Sequence, residues 1–385
     1  MNEHTAFCLS GDDQQYTAYW FLYLRRPDGQ LMRDGDASTN GSEIGAYSND
    51  MKRVMMLAGN YYKDPYLKQE AMRSNSYLQN FAYGHGNTSP VEFLIFNDPD
   101  LWGKPLSELP QTKYFGSPQG AMIARTGWND GLDSPDAMAY MKINEVWFAN
   151  HHHLDAGHFQ LYYKGILAND SGRYQGYGTD QDMAYNKRSI AHNTITVYDP
   201  NEVGGYYNMK TNDGGQEVKE GGGEHSHIDY FLKGGNETGK VEGHEFGPDP
   251  LEPDYSYLKG DITKAYNASK MEDYERSFMF LDLKNDTNPA ALVVFDRVRS
   301  SNKSFKKAWL LHGPTEPEVN GNRTVFRNTE NGYNGKMTVD TLLPKADNTE
   351  IKTIGGPGQE AWVVDKNYSA GTELDMSKAH ESDGW

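Results

Sequence analysis

Residues 150–199, NHHHLDAGHFQLYYKGILANDSGRYQGYGTDQDMAYNKRSIAHNTITVYD, hold five of the twelve histidines in the chain: His151, His152, His153, His158 and His192. Imidazole titrates near neutral pH and ligates zinc, so acid–base or metal chemistry is expected here before anywhere else. In an extended segment, alternation puts His151, His153 and Asp155 on one face and His152 and Leu154 on the other. FQLYYKGILANDSG reads as a hairpin around Lys164-Gly165, with Asp170 near the end of its second strand. RSIAHNTITVYDP reads as a third strand, with Ile190, His192 and Thr194 facing one way. If the three strands are neighbours, His153, Asp170 and His192 converge. Two imidazoles and one carboxylate suit zinc with water in a fourth position, although the spacing is not that of a zinc finger. The competing reading of each histidine is a hydrogen-bonded core or surface group.

Two textures of sequence must position these residues. Residues 12–26, DDQQYTAYWFLYLRR, carry Asp at an N-cap and Tyr16, Tyr19, Trp20 and Tyr23 at helical spacing, and Pro27-Asp28-Gly29 stops the run. The aromatic stripe is read as core, against the alternative that one tyrosine lines a sugar subsite. A second helix is predicted after Ser42, a third after Asp64-Pro65, and a short fourth in PVEFLIFNDPDLW. From about residue 113 the pattern becomes short runs of branched and aromatic residues between Gly, Asn, Asp and Pro, the sign of an all-β region. MIARTG, AMAYMKIN, VWFAN, SFMFLDL, ALVVFDRV and KKAWLLHG are its strand candidates. The glycine-rich stretch 203–223 reads as surface loop, and HSHID at 225–229 is a second, weaker His-x-His.

The order H-x-H-L-D-A-G-x-F, Y-Y-K-G, A-N-D-S-G, R-S-I-A-H-N, V-Y-D-P resembles the heparinase II/III polysaccharide lyases, most closely the heparinase II branch. The likeness extends to YLRRPDGQLMRDGD at 23–36, TKYFGSPQGAMIARTGW at 112–128, MKINEVWFANHHH at 141–153 and VVFDRV at 293–298. It implies an α+β multidomain fold: residues 1–108 as the last helices of an incomplete α/α toroid, and residues 109–385 as a large antiparallel β-sandwich, expected to be cut short at its end. It implies that His153, Asp170 and His192 carry the metal, in agreement with the residue-level reading. It implies that His151 faces the substrate as a catalytic histidine, and that Tyr174 and Tyr177 lie in a loop bordering the cleft. His152 and His158 depart from the family pattern, standing where a Gln-like and a small residue are expected.

Composition sets bounds. The 385 residues, 37% hydrophobic and 12% aromatic, suffice for two domains and a substantial core. One cysteine, Cys8, excludes an internal disulfide and a cysteine-based zinc site. Fifty-four acidic against 37 basic residues give a net charge of −17, which disfavours nucleic acid and anionic membrane as partners and sits awkwardly with a sulfated polyanion. Lys164, Arg173, Lys187 and Arg188 gather around the histidine motif, where the blander reading is solvated surface charge. No apolar run reaches the length of a membrane span, and MNEHTAFCLSGDDQQ lacks the features of a signal peptide. Both ends of a longer protein are expected to be missing.

The resemblance implies β-elimination of a uronic-acid polysaccharide of the heparin or heparan sulfate kind, giving unsaturated uronides. His151 would serve as base or acid, and zinc would organise the floor of the cleft. Asn150, Asn193 and Arg188 flank the ligands as substrate groups or as supports for the metal, with strand-edge hydrogen bonding as the alternative. The principal tyrosine and the carboxylate-neutralising groups are expected before Met1, so this chain is expected to hold half of a composite site. A homodimer and a periplasmic or secreted location are implied by the family alone. The rival functions are a lyase for alginate or another uronan, a zinc-stabilised glycan-binding module without catalysis, and, more weakly, a zinc hydrolase.

Overall fold

The computed structural model describes residues 13–36, 49–73, 90–148, 151–171, 177–178, 182–202, 212–218, 236–355, 362–363 and 366–367. Among the described residues, four α-helices come first: α1 (Asp13–Leu24), α2 (Asn49–Tyr61), α3 (Pro65–Met72) and α4 (Pro90–Phe96). Helix α3 starts where the sequence predicts, because the Asp64 carboxylate accepts hydrogen bonds from the backbone N–H groups of Tyr66 and Leu67 and Pro65 fills the first turn. Ala18 and Leu22 of α1, Met55 and Met56 of α2, and Leu67 and Ala71 of α3 form one small core.

Antiparallel sheets follow. The first has the order β1 (Thr112–Phe115), β2 (Ala121–Arg125), β3 (Ala137–Lys142), β4 (Phe159–Tyr163) and β5 (Ile166–Ala168). β4 and β5 form the predicted hairpin, whose turn needs left-handed backbone at Lys164 (φ 50°) and Gly165 (φ 128°). A short strand, β6 (Ile195–Tyr198), pairs later with β11 (Lys306–Trp309). The second large sheet has the order β10 (Ala290–Ser300), β9 (Met271–Asp282), β8 (Tyr255–Asp261) and β7 (Lys240–Gly247). A third, smaller sheet contains β12 (Glu318–Asn320), β13 (Arg323–Asn328) and β14 (Gly335–Asp340).

Strand alternation divides β2 and β3 between two cores. Met122, Ala124, Ala137, Ala139 and Met141 face the second sheet and pack with Leu258, Phe278 and Phe280, which makes a β-sandwich. Ala121, Ile123, Met138 and Tyr140 face the other way, against Tyr23 and Trp20 of α1. The aromatic stripe of α1 is core at Tyr23 and packs against it at Tyr19 and Trp20, whereas Tyr16 is 37% exposed: the Trp20 and Phe115 rings lie 4.8 Å apart, and the Tyr19 hydroxyl donates to Asp64. Burial holds the Tyr23 hydroxyl protonated, its pKa displaced upward despite the nearby Arg125.

Three expectations need correction. The residues around His192 are not a strand: Ser189–Ala191 form a 3-10 turn, and β6 begins only at Ile195. VWFAN contributes only an isolated bridge between Val146 and Glu237, with residues 149–150 outside those described. The described part of the glycine-rich stretch, 212–218, is largely buried rather than surface: Gln216 hydrogen-bonds both backbone groups of Ala156. HSHID lies outside the described residues.

Candidate functional site

The loop joining β3 to β4 carries His151, His153, Asp155 and His158, and it is tied down along its length. Leu154 N–H donates to the Lys187 carbonyl at 2.9 Å, Ser189 Oγ donates to the Leu154 carbonyl at 2.7 Å, and His158 N–H closes a turn on the Asp155 carbonyl at 2.9 Å. Gly157 permits that turn, having φ +79° and lying where a Cβ would meet Ile262 Cδ1 at 2.6 Å. Asn193, fully buried, stitches the remaining pieces together. Its Nδ2 donates to the carbonyls of Phe159 (2.8 Å) and Asn169 (3.1 Å), and its Oδ1 accepts from His312 N–H (2.7 Å). Asn193 is thus a structural clamp.

His153, Asp155, His158, Asp170 and His192 are each at most 2% exposed. The His153 and His158 rings lie 5.1 Å and 5.3 Å from the ring of His192, and His192 Nδ1 is 3.1 Å from Asp170 Oδ1. Two overlapping groups present donor atoms within 4.8 Å of one another, His153/Asp155/His192 and His158/Asp170/His192. The predicted trio straddles them, sharing His192 with both.

Donor chemistry discriminates among these residues. Asp155 is engaged by Lys142 Nζ at 2.5 Å, and Lys142 also contacts Asp34 at 2.7 Å. His158 Nδ1 accepts a hydrogen bond from Asn193 N–H at 2.9 Å, so its neutral ring carries the proton on Nε2 and has no second lone pair for a metal. His153 is oriented the other way. Its Nε2 lies 2.8 Å from Asp36 Oδ1 and donates to it, while Nδ1 is buried without a hydrogen-bond partner. His192 Nε2 is likewise unpartnered. These orphaned buried nitrogens, together with the Asp170 carboxylate, fit a divalent cation such as zinc.

Charge states agree with that fit. Burial opposes ionisation of Asp170, but the neighbouring His192, His158 and His153 overcome it and hold its pKa well below the usual carboxylate range. Burial pushes His158 far below the ordinary imidazole value and His312 down to about 4, keeping both neutral. For His192 burial is outweighed by Asp170, which raises its pKa; a bound cation would compete with that proton.

His151 sits at the mouth, its side chain 58% exposed, with Nδ1 2.7 Å from Asp36 Oδ2. The Tyr177 ring lies 5.3 Å from that of His151, and Lys187 Nζ is 4.2 Å from the Tyr177 ring centroid. His152 turns away, its Nδ1 accepting from Phe148 N–H, and burial lowers its pKa to about 4. Arg188, expected to meet substrate, is instead buried against Asp213 at 2.7 Å. Lys187 is not surface charge either: it is buried between Asp36 (3.2 Å) and Asp182 (3.3 Å). Asn150, Tyr174 and Arg173 lie outside the described residues. The residues that sequence reasoning missed are Asp36, Asp34 and Lys142, the first two closing the quoted motif YLRRPDGQLMRDGD without any role assigned.

A model of the family "Heparinase II/III-like, C-terminal" matches residues 137–381, well over half of the chain. The chain belongs to this family. Two solved structures of a heparinase III gene product, one with methylated lysines, align with TM-scores of 0.47 at 16% and 17% identity. The alignments cover 80% of this chain but 35% and 36% of those chains, so the heparinase II/III-like chain spans about a third of their length. No curated protein matches it.

Proposed function

We propose that this chain supplies the metal-bearing half of a polysaccharide lyase site that cuts a uronic-acid polysaccharide by β-elimination. The observation that carries the reading is an exposed histidine, His151, set by a buried carboxylate beside the His153–Asp170–His192 donor set, in a heparinase II/III-like domain. Elimination requires a base for the proton next to the uronate carboxylate, an acid for the leaving oxygen, and neutralisation of that carboxylate. With Nδ1–H donated to Asp36, His151 presents Nε2 as the atom that takes or returns a proton. Asp36 stabilises the imidazolium formed when it does so. Tyr177, 44% exposed beside His151, borders the same opening; Tyr174 is assigned there by resemblance, and Asn150 by its place in the sequence next to the histidines. Zinc, when held by His153, Asp170 and His192, supplies a fixed positive charge that ties their segments together beneath His151.

Within this reading the helices of residues 13–96 are the end of an α/α toroid, with the boundary to the β-domain near residue 108. The protein acts on an acidic polysaccharide as a periplasmic or secreted homodimer. Heparin or heparan sulfate is the first substrate class. A less charged uronan such as alginate is favoured by a separate observation: Lys142, Lys187 and Arg188, around the site, are each already paired with aspartates, and the net charge is −17. Ultraviolet absorbance of the conjugated uronide, formed from heparan sulfate or alginate by the wild type and lost in His151→Ala with folding and zinc content intact, supports the lyase. Product undiminished in His151→Ala refutes this assignment of His151. A saturated reducing-end product indicates a zinc hydrolase, and uronan binding without product indicates a binding module.

A further inference from the structure

We propose that Asp36 is the positioning residue for both ends of the His-x-His pair, with one carboxylate oxygen setting the metal ligand His153 and the other setting His151. The His151 half of this assignment rests on the lyase reading; the His153 half does not. An ionised carboxylate only accepts hydrogen bonds, so both rings must donate to it. Oδ1 lies 2.8 Å from Nε2 of His153 and Oδ2 lies 2.7 Å from Nδ1 of His151. Because opposite nitrogens are engaged, the two rings are driven into opposite tautomers. His153 keeps its lone pair on Nδ1, in the interior with the other metal donors, whereas His151 keeps its lone pair on Nε2, on the edge away from Asp36. A single carboxylate thereby specifies a ligand and a proton acceptor two residues apart.

The backbone that delivers Asp36 is built for this placement. Residues 33–36 cross the face of the first sheet that carries Tyr140 and Lys142. Arg33 Nη1 donates to the Asp170 carbonyl at 3.0 Å, Asp34 accepts from Lys142 at 2.7 Å and from the Tyr140 hydroxyl at 3.1 Å, and Asp36 N–H donates to the His151 carbonyl at 3.0 Å. Gly35 has φ +63°, and a Cβ there would lie 2.5 Å from the His151 carbonyl oxygen, so only glycine lets the segment approach so closely. Asp36 is 3% exposed and is also contacted by Lys187 at 3.2 Å. The competing role is therefore neutralisation of Lys187, and the experiment must separate the two.

Zinc affinity by chelator competition, ring-nitrogen tautomers by nitrogen NMR, and turnover on a uronan at saturating zinc are measured for wild type, Asp36→Asn and the double variant Asp36→Asn/Lys187→Met. The double variant removes Lys187 as well, leaving Asp182 with the hydrogen bonds it accepts from Gly178 N–H (2.9 Å) and Asn186 Nδ2 (3.2 Å). The expected result is zinc binding weakened about 10–100-fold in both variants, the range for loss of a carboxylate behind a ligating histidine. His151 should change from Nδ1–H to a mixture of tautomers, and kcat should fall with KM little changed. Wild-type zinc affinity and tautomers in the double variant would overturn the proposal and leave Asp36 as a partner for Lys187. Weakened zinc binding with an unaltered His151 tautomer would overturn the His151 half, and a wild type that takes up no zinc would overturn the His153 half. Absence of turnover, from a site of which this chain supplies only half, does not bear on Asp36, whose role zinc affinity and tautomers decide.

Discussion

Replacing Lys142 by Met should act in opposite directions on fold and metal. Lys142 is 2% exposed at its side chain and lies 2.5 Å from Asp155 and 2.7 Å from Asp34, so its removal strands a buried carboxylate. Breaking a buried pair in this way costs about 3–5 kcal/mol, and denaturant unfolding of the zinc-free variant should show a loss of that size. The freed Asp155 already lies within 4.8 Å of donor atoms on His153 and His192, so it becomes available as an additional metal donor. If zinc binds tenfold more tightly as a result, the loss measured at saturating zinc is about 1.4 kcal/mol smaller than that measured after chelation. The assay is a pair of denaturation curves for wild type and variant, with and without zinc. Equal losses in both conditions would refute the idea that Lys142 withholds Asp155 from the metal, and a zinc-free loss below about 1 kcal/mol would refute the stabilising role assigned to the pair.

Asn193→Ala removes three buried side-chain hydrogen bonds, at about 1 kcal/mol each, and should lower unfolding free energy by roughly 3 kcal/mol in urea titration. His158→Gln should keep one zinc bound per chain by elemental analysis whereas His192→Ala loses it, because the lone pair of neutral His158 is taken by Asn193 N–H while the nitrogens of His192 have no hydrogen-bond partner; zinc loss in both would restore His158 as a ligand. Asp213, where Arg188 and the Gly215 N–H outweigh burial, has its folded pKa depressed, as has Asp170. Their stabilisation is therefore complete above the unfolded value of about 3.9 and is lost as pH falls below it, so the denaturation midpoint should drop on acidification through pH 4, and a rising midpoint would contradict the pairing.

The chemistry of the site was legible because it resides in residue types. The meeting of His153, Asp170 and His192 was expected from residue types and an assumed set of neighbouring strands, the role of His151 came from the resemblance, and the Lys164-Gly165 turn has a local cause. The backbone was less legible. Alternation assumed strands around the two histidine segments, whereas residues 151–155 are a loop and Ser189–Ala191 form a 3-10 turn. Asp36 is separated by 115 residues from His151, and no local pattern records a contact of that span. Lys187 and Arg188 resembled solvated charges for the same reason, since Asp36 and Asp213 are supplied by distant segments and only Asp182 is local. The strand β8 alternates half-buried and buried residues and was readable in principle, but β7, KVEGHEFG, is mostly an exposed polar edge whose strand character comes from pairing with β8.

The placement of Asp36 also bears on where the β-domain begins. A boundary near residue 108 separates the helices from the sheets by sequence texture, yet the segment after α1 belongs to both. Tyr23, Leu24 and Met32 share a core with Ile123, Met138 and Tyr140, and the next four residues reach Asp170, Lys142, His151 and His153. Without residues 13–36 the first sheet would expose that face, Lys142 would retain only Asp155, and neither histidine would keep the acceptor that sets its tautomer. The sheets can therefore bring His153, Asp170 and His192 together, but on the reading proposed above the tautomers of both His153 and His151 require the segment that leads out of the helices. A composite site divided between two structural layers in this way ties the chemistry to their packing: a substitution in the α1–β2 contact, far from any histidine, acts on His151 through the position of Gly35 and Asp36.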